Sequence, residues 1–375
     1  MTGKKRALGA WFAFLVVSSS AAAIEVPTGS EDFTLRVEPL IQPRIQVNWD
    51  GPPGAAAPSG HANIDFFIQR ARLLVRATAY RDFYFGINIV AVRIGERGNL
   101  NVTPILQDLI AGYTPAKDVN IEMGLLVMPL SHAAVEGAAY ASTIEGVGNV
   151  LLYNNARLLR EVGIQIRAIL FGRRIQLRGG FYEGARNTNP AATPALNPDG
   201  VPLAGGMVRL NLVGDEPTYG YSGIYLDGKT RISVGVGGQY QPHAGALRAG
   251  SGAYDDYVAL AADLFADVAV GPGMEALLSI GGYRYDYGAG NARAGYGVQS
   301  EIGYRWGPVE PQGNVYWFNS DTKKNSYLKI AGGLNLFLQG HHAKIQAEFA
   351  SIIANANLAT TPAMHQIIVQ TQLAF

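Results

Sequence analysis

Residues 70–79 read Arg70-Ala71-Arg72-Leu73-Leu74-Val75-Arg76-Ala77-Thr78-Ala79. In an extended chain, successive side chains point to opposite faces. Arg70, Arg72, Arg76 and Thr78 then share a face with Leu74, while Ala71, Leu73, Val75, Ala77 and Ala79 form a second, wholly apolar face. The same two-residue period returns along the chain. Arg44-Ile45-Gln46-Val47-Asn48-Trp49, Arg174-Ile175-Gln176-Leu177-Arg178 and Tyr283-Arg284-Tyr285-Asp286-Tyr287 all alternate. Alternation alone fits a half-exposed antiparallel sheet in a soluble protein. Three details point instead to a transmembrane β-barrel. The polar faces are rich in Arg and Gln, as a wet interior requires. Tyr80, Phe83 and Phe85, Tyr304 and Trp306, and Tyr316 and Phe318 sit near segment ends, where a barrel carries its interfacial aromatic girdles. Ile367, Val369, Thr371, Leu373 and Phe375 alternate up to an aromatic terminal residue, which resembles the signal read by the bacterial outer-membrane assembly machinery.

Composition narrows the field further. The chain has 375 residues, no cysteine, 48% apolar and only 16% charged residues, against about 25% charged in an ordinary soluble domain. Such an apolar, nearly neutral chain is not disordered. Lack of cysteine removes disulfide scaffolds, Cys-ligated zinc and iron–sulfur sites. A net charge of +1 gives no case for nucleic-acid binding. Lys4, Lys5 and Arg6 precede an apolar run from Ala7 to Val17, and Ala21-Ala22-Ala23 suits signal peptidase. Residues 1–23 therefore read as a secretory signal peptide, too short in its apolar part to span a bilayer. No other segment holds 18 consecutive apolar residues, so no helical span is expected. Residues 24–375 read as a single barrel domain in the bacterial outer membrane.

Sixteen strands are expected, near 34–49, 62–80, 82–96, 104–114, 118–128, 158–171, 173–184, 205–214, 229–241, 254–270, 273–287, 293–305, 308–320, 325–338, 341–353 and 363–375. Counts of fourteen and eighteen also fit. Turn signals such as Arg81-Asp82, Gly271-Pro272-Gly273 and Gly307-Pro308 divide them. Two connections are long. The proline-rich stretch 185–204 reads as an external loop. The stretch 129–157 carries Pro129, Leu130, Ala133, Ala134, Val135, Ala138, Ala139 and Tyr140. Its apolar character predicts folding into the barrel, with a short lid or an extra hairpin as alternatives.

Some motifs carry no chemistry here. Gly223 to Thr230 matches the phosphate-loop pattern, but the β-branched, alternating run after it is no helix, and Asp227-Gly228 is a hairpin-turn signal. His341 and His342 are adjacent, whereas two ligands on one strand face would stand two apart. No metal or cofactor is expected. Asn101-Val102-Thr103 is a glycosylation sequon by pattern only.

Several segments resemble the phosphate-selective porin O and P family. They are Phe66-Phe67-Ile68-Gln69-Arg70-Ala71-Arg72-Leu73-Leu74-Val75 with Tyr80-Arg81-Asp82-Phe83, then Leu106-Gln107-Asp108, then Met123-Gly124-Leu125-Leu126-Val127-Met128-Pro129, and finally Arg160-Glu161-Val162-Gly163-Ile164-Gln165. The resemblance covers about residues 62–185. It implies a sixteen-stranded outer-membrane channel, commonly a trimer, with its third loop folded into the pore, passing anions by passive diffusion. The chain departs from the family at the constriction. Phosphate-selecting members have lysines there, whereas 129–157 has none and contains Glu136 and Glu145.

Selectivity would rest on arginine. Arg70, Arg72 and Arg76 would form a lumen column with about 6–7 Å per two residues. Arg157, Arg160, Arg167, Arg173, Arg174 and Arg178 follow the constriction loop, and Arg36 and Arg44 could join them. Fixed cations along a pore attract anions, and guanidinium groups stay charged. On the lipid face an Arg would cost roughly 2–4 kcal/mol at the midplane. Asp65, Asp82, Asp108, Glu122 and Glu161 are available to neutralise them. The expected protein is an anion-preferring, water-filled channel for small hydrophilic solutes, not an enzyme. Its expected partners are membrane lipid, the assembly machinery (through Phe375) and two further copies in a homotrimer. A plugged structural or adhesive barrel and an outer-membrane enzyme are the alternatives.

Overall fold

A computed structural model describes residues 23–30, 32–50, 62–80, 82–144, 159–186, 196–216, 220–247, 252–288, 291–322, 326–354 and 363–375. The expected signal peptide (apart from Ala23), Glu145 and Arg157 lie outside the described residues. Seventeen strands are present among these residues. They are β1 Ile24–Val26, β2 Phe33–Asp50, β3 Asn63–Ala79, β4 Phe83–Ile94, β5 Ile105–Ala116, β6 Val119–Val127, β7 Arg160–Leu170, β8 Ile175–Tyr182 and β9 Leu203–Val213. There follow β10 Arg231–Gln241, β11 Tyr257–Gly271, β12 Met274–Asp286, β13 Gly295–Trp306, β14 Val309–Ser320, β15 Tyr327–Gln339, β16 Ala343–Ala354 and β17 Met364–Ala374.

Strands β2 to β17 form a closed antiparallel barrel of sixteen. Each pairs with the next, and β17 returns to β2. Closure leaves no sheet edge, which a bilayer demands. Short β1 lies outside the ring. It pairs along Leu35–Val37, on the part of β2 beyond the point where Ala374 of β17 meets Leu40. Nothing in the alternation pattern marks so short a strand.

The two faces reverse the order of a soluble protein. On β2, Gln42, Arg44 and Gln46 are buried, while Ile41 and Ile45 are exposed. Phe66, Met123, Ile166 and Ile302 are also exposed on the outside, Phe66 to 67%. Such a continuous apolar exterior is stable against acyl chains, not water. Tyr113, Tyr304 and Trp306 stand on it near strand ends.

Two sets of aromatic residues face inward, and the first of them was expected in the girdle. Tyr316 and Phe318 pair with Gln299 and Gly297, which face the lumen, and both are fully buried. Tyr283, Tyr285 and Tyr287 are buried inside as well, and Arg284 is turned outward to Asp321 at 2.8 Å. The physical reason is that these rings form an apolar seat for a loop.

At one end of the barrel the connections are short. Two-residue turns such as Pro272-Gly273 and Gly307-Pro308 use glycine at φ +68° and +57°, where other residues are strained. One connection breaks the rule. Between β9 and β10, on this same end, residues 214–230 separate the strands. Asp227-Gly228 is a bend within this segment rather than the expected hairpin turn.

Candidate functional site

The described part of the 129–157 connection lies inside the barrel. Ser131 starts a single helical turn, α1 His132–Val135, by accepting the Ala134 amide at its hydroxyl (3.2 Å). Met128, Leu130, Ala133 and Ala134 pack on the inward Tyr283, Tyr285, Tyr316 and Phe318. That burial draws the loop away from water. Beyond it the chain crosses polar wall residues and satisfies its backbone on them. Lys344 donates to Ala141 O at 2.7 Å, and Gln372 to Ala139 O at 3.0 Å. Asn335 and Gln346 donate to Ser142 O at 2.7 and 3.0 Å. The Ser142 hydroxyl donates to Glu310 at 2.9 Å. The loop therefore covers the wall formed by β10 to β17.

The arginine column stands on the other wall. Register pairs Arg36 with Arg76, Leu40 with Arg72 and Gln42 with Arg70. Paired residues share a face, so all these arginines share the lumen side with buried Gln42 and Arg44. Their partners are both neutral and acidic. Arg70 donates to Gln42 (2.9 Å) and Arg44 to Gln370 (2.7 Å). Arg76 is 3.6 Å from Glu38. Arg36 meets Glu25 of β1 at 2.8 Å where both are exposed. Arg72 has no hydrogen-bond partner among the described residues, and its Nε is buried without one.

The other expected arginines play different parts. Arg160 is held by Asp108 at 2.9 Å. Arg167 makes a two-pronged contact with the fully buried Glu122 (2.7 and 2.9 Å), which Tyr84 and Gln165 also bond, each at 2.6 Å. Arg178 is buried on the lumen side, paired in register with Arg167. Arg174 leaves the pore altogether. It is exposed beyond the end of β8 and donates to Leu212 O at 3.0 Å. Arg173 bridges Asp118 and Asp215 at the same rim.

Glu136 belongs to the constriction loop but does not face the pore. Its side chain is 3% exposed and 3.9 Å from His132. Burial, and then the neighbouring charge of Glu301, push its carboxyl well above the usual carboxylate range. Its buried carboxyl is therefore not offered to a solute.

Two features of the site carry no local signal in the residue spacing. Carboxylates Glu301, Glu310 and Glu348 are buried beneath the loop, and spacing alone does not reveal them. Residues 214–230 were visible as a gap. Counting which connections fall on the same barrel end would have singled the gap out, because its neighbours on that end are short.

Comparison with known proteins agrees with this geometry. No family model matches the chain, and no curated protein matches it. Solved structures do. An anion-selective porin from Comamonas acidovorans superimposes with TM-score 0.58 at 11% identity, over 92% of this chain and 100% of that one. Salmonella typhi OmpF, solved in complex with daunomycin, gives 0.60 at 10% identity, over 94% and 100%. Pseudomonas putida OprB gives 0.61 at 9% identity, over 91% and 94%. The fold is that of an outer-membrane porin. At such identities the likeness concerns the porin fold and not the solute. In this porin fold the constriction loop leans on β10 to β17, and the arginines of β2 and β3 stand opposite.

Proposed function

We propose that the protein is a water-filled outer-membrane channel through which small hydrophilic solutes diffuse passively, with a preference for anions. The observation that carries this reading is the column of Arg44, Arg70, Arg72 and Arg76 on one lumen wall, where Arg44 and Arg70 donate to glutamines and Arg76 stands 3.6 Å from Glu38. The acids of the opposite wall, Glu301, Glu310 and Glu348, are buried under the loop. Four guanidinium groups gathered on that wall favour a positive field there, and low-dielectric surroundings strengthen it. The neighbour described as anion-selective supports the same reading.

Phosphate specificity is the finer reading suggested by the segments over 62–185. The lumen lysines speak against it. Lys329 is tied to Glu348 at 2.6 Å and Lys344 to the loop backbone, so neither is offered to a solute. We further propose export through residues 1–23 with release after Ala23, membrane assembly guided by Phe375, and a homotrimer in the membrane.

Single-channel current of the refolded protein under a KCl gradient tests the reading. An anion-directed reversal potential with no block by millimolar phosphate is expected. A cation-directed potential would remove the role given to the arginines. Absence of steps from verified folded barrels would favour the plugged, structural alternative.

A further inference from the structure

The described residues between β9 and β10, 214–216 and 220–230, approach from the short-turn end and meet the constriction loop, which enters from the other end. Tyr221 and Glu136 form a parallel bridge. Gly137 N donates to Tyr221 O at 3.0 Å, and Gly223 N to Tyr140 O at 3.1 Å. A strand-like contact thus joins two loops from opposite mouths.

Side chains fasten the same junction. His132 of α1 is stacked between Tyr221 and Phe265, with ring centroids 4.8 and 4.1 Å away and planes within 12° of parallel. Its Nε2 is 2.9 Å from Glu216 of the incoming segment. Glu216 is in turn held by Arg209 and by the Ser233 hydroxyl of the wall, at 3.3 and 3.1 Å. Burial alone would raise the Glu216 carboxyl. The His132 imidazole and the Arg209 guanidinium outweigh burial and hold it down to about 2.

The segment is also anchored across the mouth. The Tyr221 hydroxyl donates to Gln176 on β8 at 2.7 Å. Tyr225 N and Gly228 N donate to Asp267 on β11 and Glu275 on β12, at 2.8 and 2.6 Å. His341, in the turn between β15 and β16, lies 2.7 Å from the Ile224 carbonyl. Burial, with the charge of Lys344, pushes His341 down to about 3, so a neutral ring donates there. The described part of the segment is therefore tied to the wall from β8 round to β16.

We propose that this segment is a latch that holds the constriction loop from the opposite mouth, with Glu216 and Tyr221 as its positioning residues. It fixes the aperture between the loop and the arginine wall. Its effect on current rests on the channel reading above; its hold on the loop does not.

Amide hydrogen exchange in the full-length refolded barrel tests the hold directly. In Glu216→Gln, the Gly137 and Gly223 amides are expected to exchange roughly ten-fold faster, equivalent to about 1.4 kcal/mol, with strand amides unchanged. Unchanged exchange at both glycines overturns the latch. A second variant covers poor folding of the first. The chain has no cysteine, and bridged residues lie about 4.8 Å apart, within the span of a disulfide. The pair E136C and Y221C should cross-link on oxidation in heat-modifiable, folded barrels. No cross-link in such barrels contradicts the proposal. In bilayers, Glu216→Gln should show roughly ten-fold more frequent brief closures than the wild type, and the cross-linked pair fewer than its reduced form. Equal closure frequencies in all of them would again overturn it. Lack of wild-type current with fast-exchanging variant glycines would instead remove the channel reading and leave the latch standing.

Discussion

The wall of β2 and β3 and the wall of β14 to β16 carry charge for opposite ends. On the first, Arg70 and Arg44 lean on neutral glutamines and Arg72 has no hydrogen-bond partner among the described residues. On the second, Lys329 and Glu348 are locked together with at most 1% exposure, and Glu310 accepts from Ser142 and Asn335. A charge facing water keeps its field available to a solute. A charge sealed beneath a loop must be matched locally, because a buried unpaired ion costs several kcal/mol. Similar residue types therefore serve selectivity on one wall and loop placement on the other.

The difference should appear most strongly in Lys329→Met. It leaves Glu348 buried without its cation and should cost about 3–5 kcal/mol, read from urea unfolding of the refolded barrel in vesicles. A loss below about 1 kcal/mol would mean that the wall is open to water after all. Asn335→Leu should follow at about 1–3 kcal/mol, since it removes donors to both Ser142 O and Glu310. Equal stability to wild type would show the loop seated by its apolar residues alone.

Acid tests the same wall through His341. Its folded value, about 3, lies below the ordinary imidazole value of 6.5. The unfolded chain takes up a proton first. The contribution is thus fully present above pH 6.5 and is lost as pH falls toward 3, by up to about 1.4 kcal/mol per pH unit. Denaturation curves at stepped pH should show that slope in the wild type and a smaller one in His341→Gln. Matching slopes would remove His341 as the anchor. Arg72→Glu, on the arginine wall, should leave the barrel able to fold yet move the reversal potential toward cations. A barrel that fails to fold, or folds with unaltered selectivity, would erase the distinction between the walls.

Much of this was legible in the chain. Strict alternation at 70–79 put Arg70, Arg72 and Arg76 on one face, and the register with β2 places that face in the lumen. The sixteen expected strands fall within a few residues of the sixteen in the ring, because period-two patterning is local. The apolar character of 129–157 also anticipated its inward course as far as it is described. Tyr316 and Phe318 were misread because an aromatic residue near a strand end suits a girdle and a loop seat equally well. Arg160 and Arg167 read like Arg72 in sequence; only closure of the barrel brings Asp108 and Glu122 beside them.

By itself, then, the sequence indicated a barrel of about sixteen strands, the alternation along each and the polar character of the interior, since alternation follows from side chains two residues apart. Tertiary structure alone decided which arginines meet carboxylates, which acids are sealed and that Tyr221 and Gly223 meet the constriction loop. Those facts depend on contacts such as Glu136 with Tyr221 or Ser142 with Glu310. Such partners lie dozens to more than a hundred residues apart, and their pairing is set by closure of the ring, not by any local period.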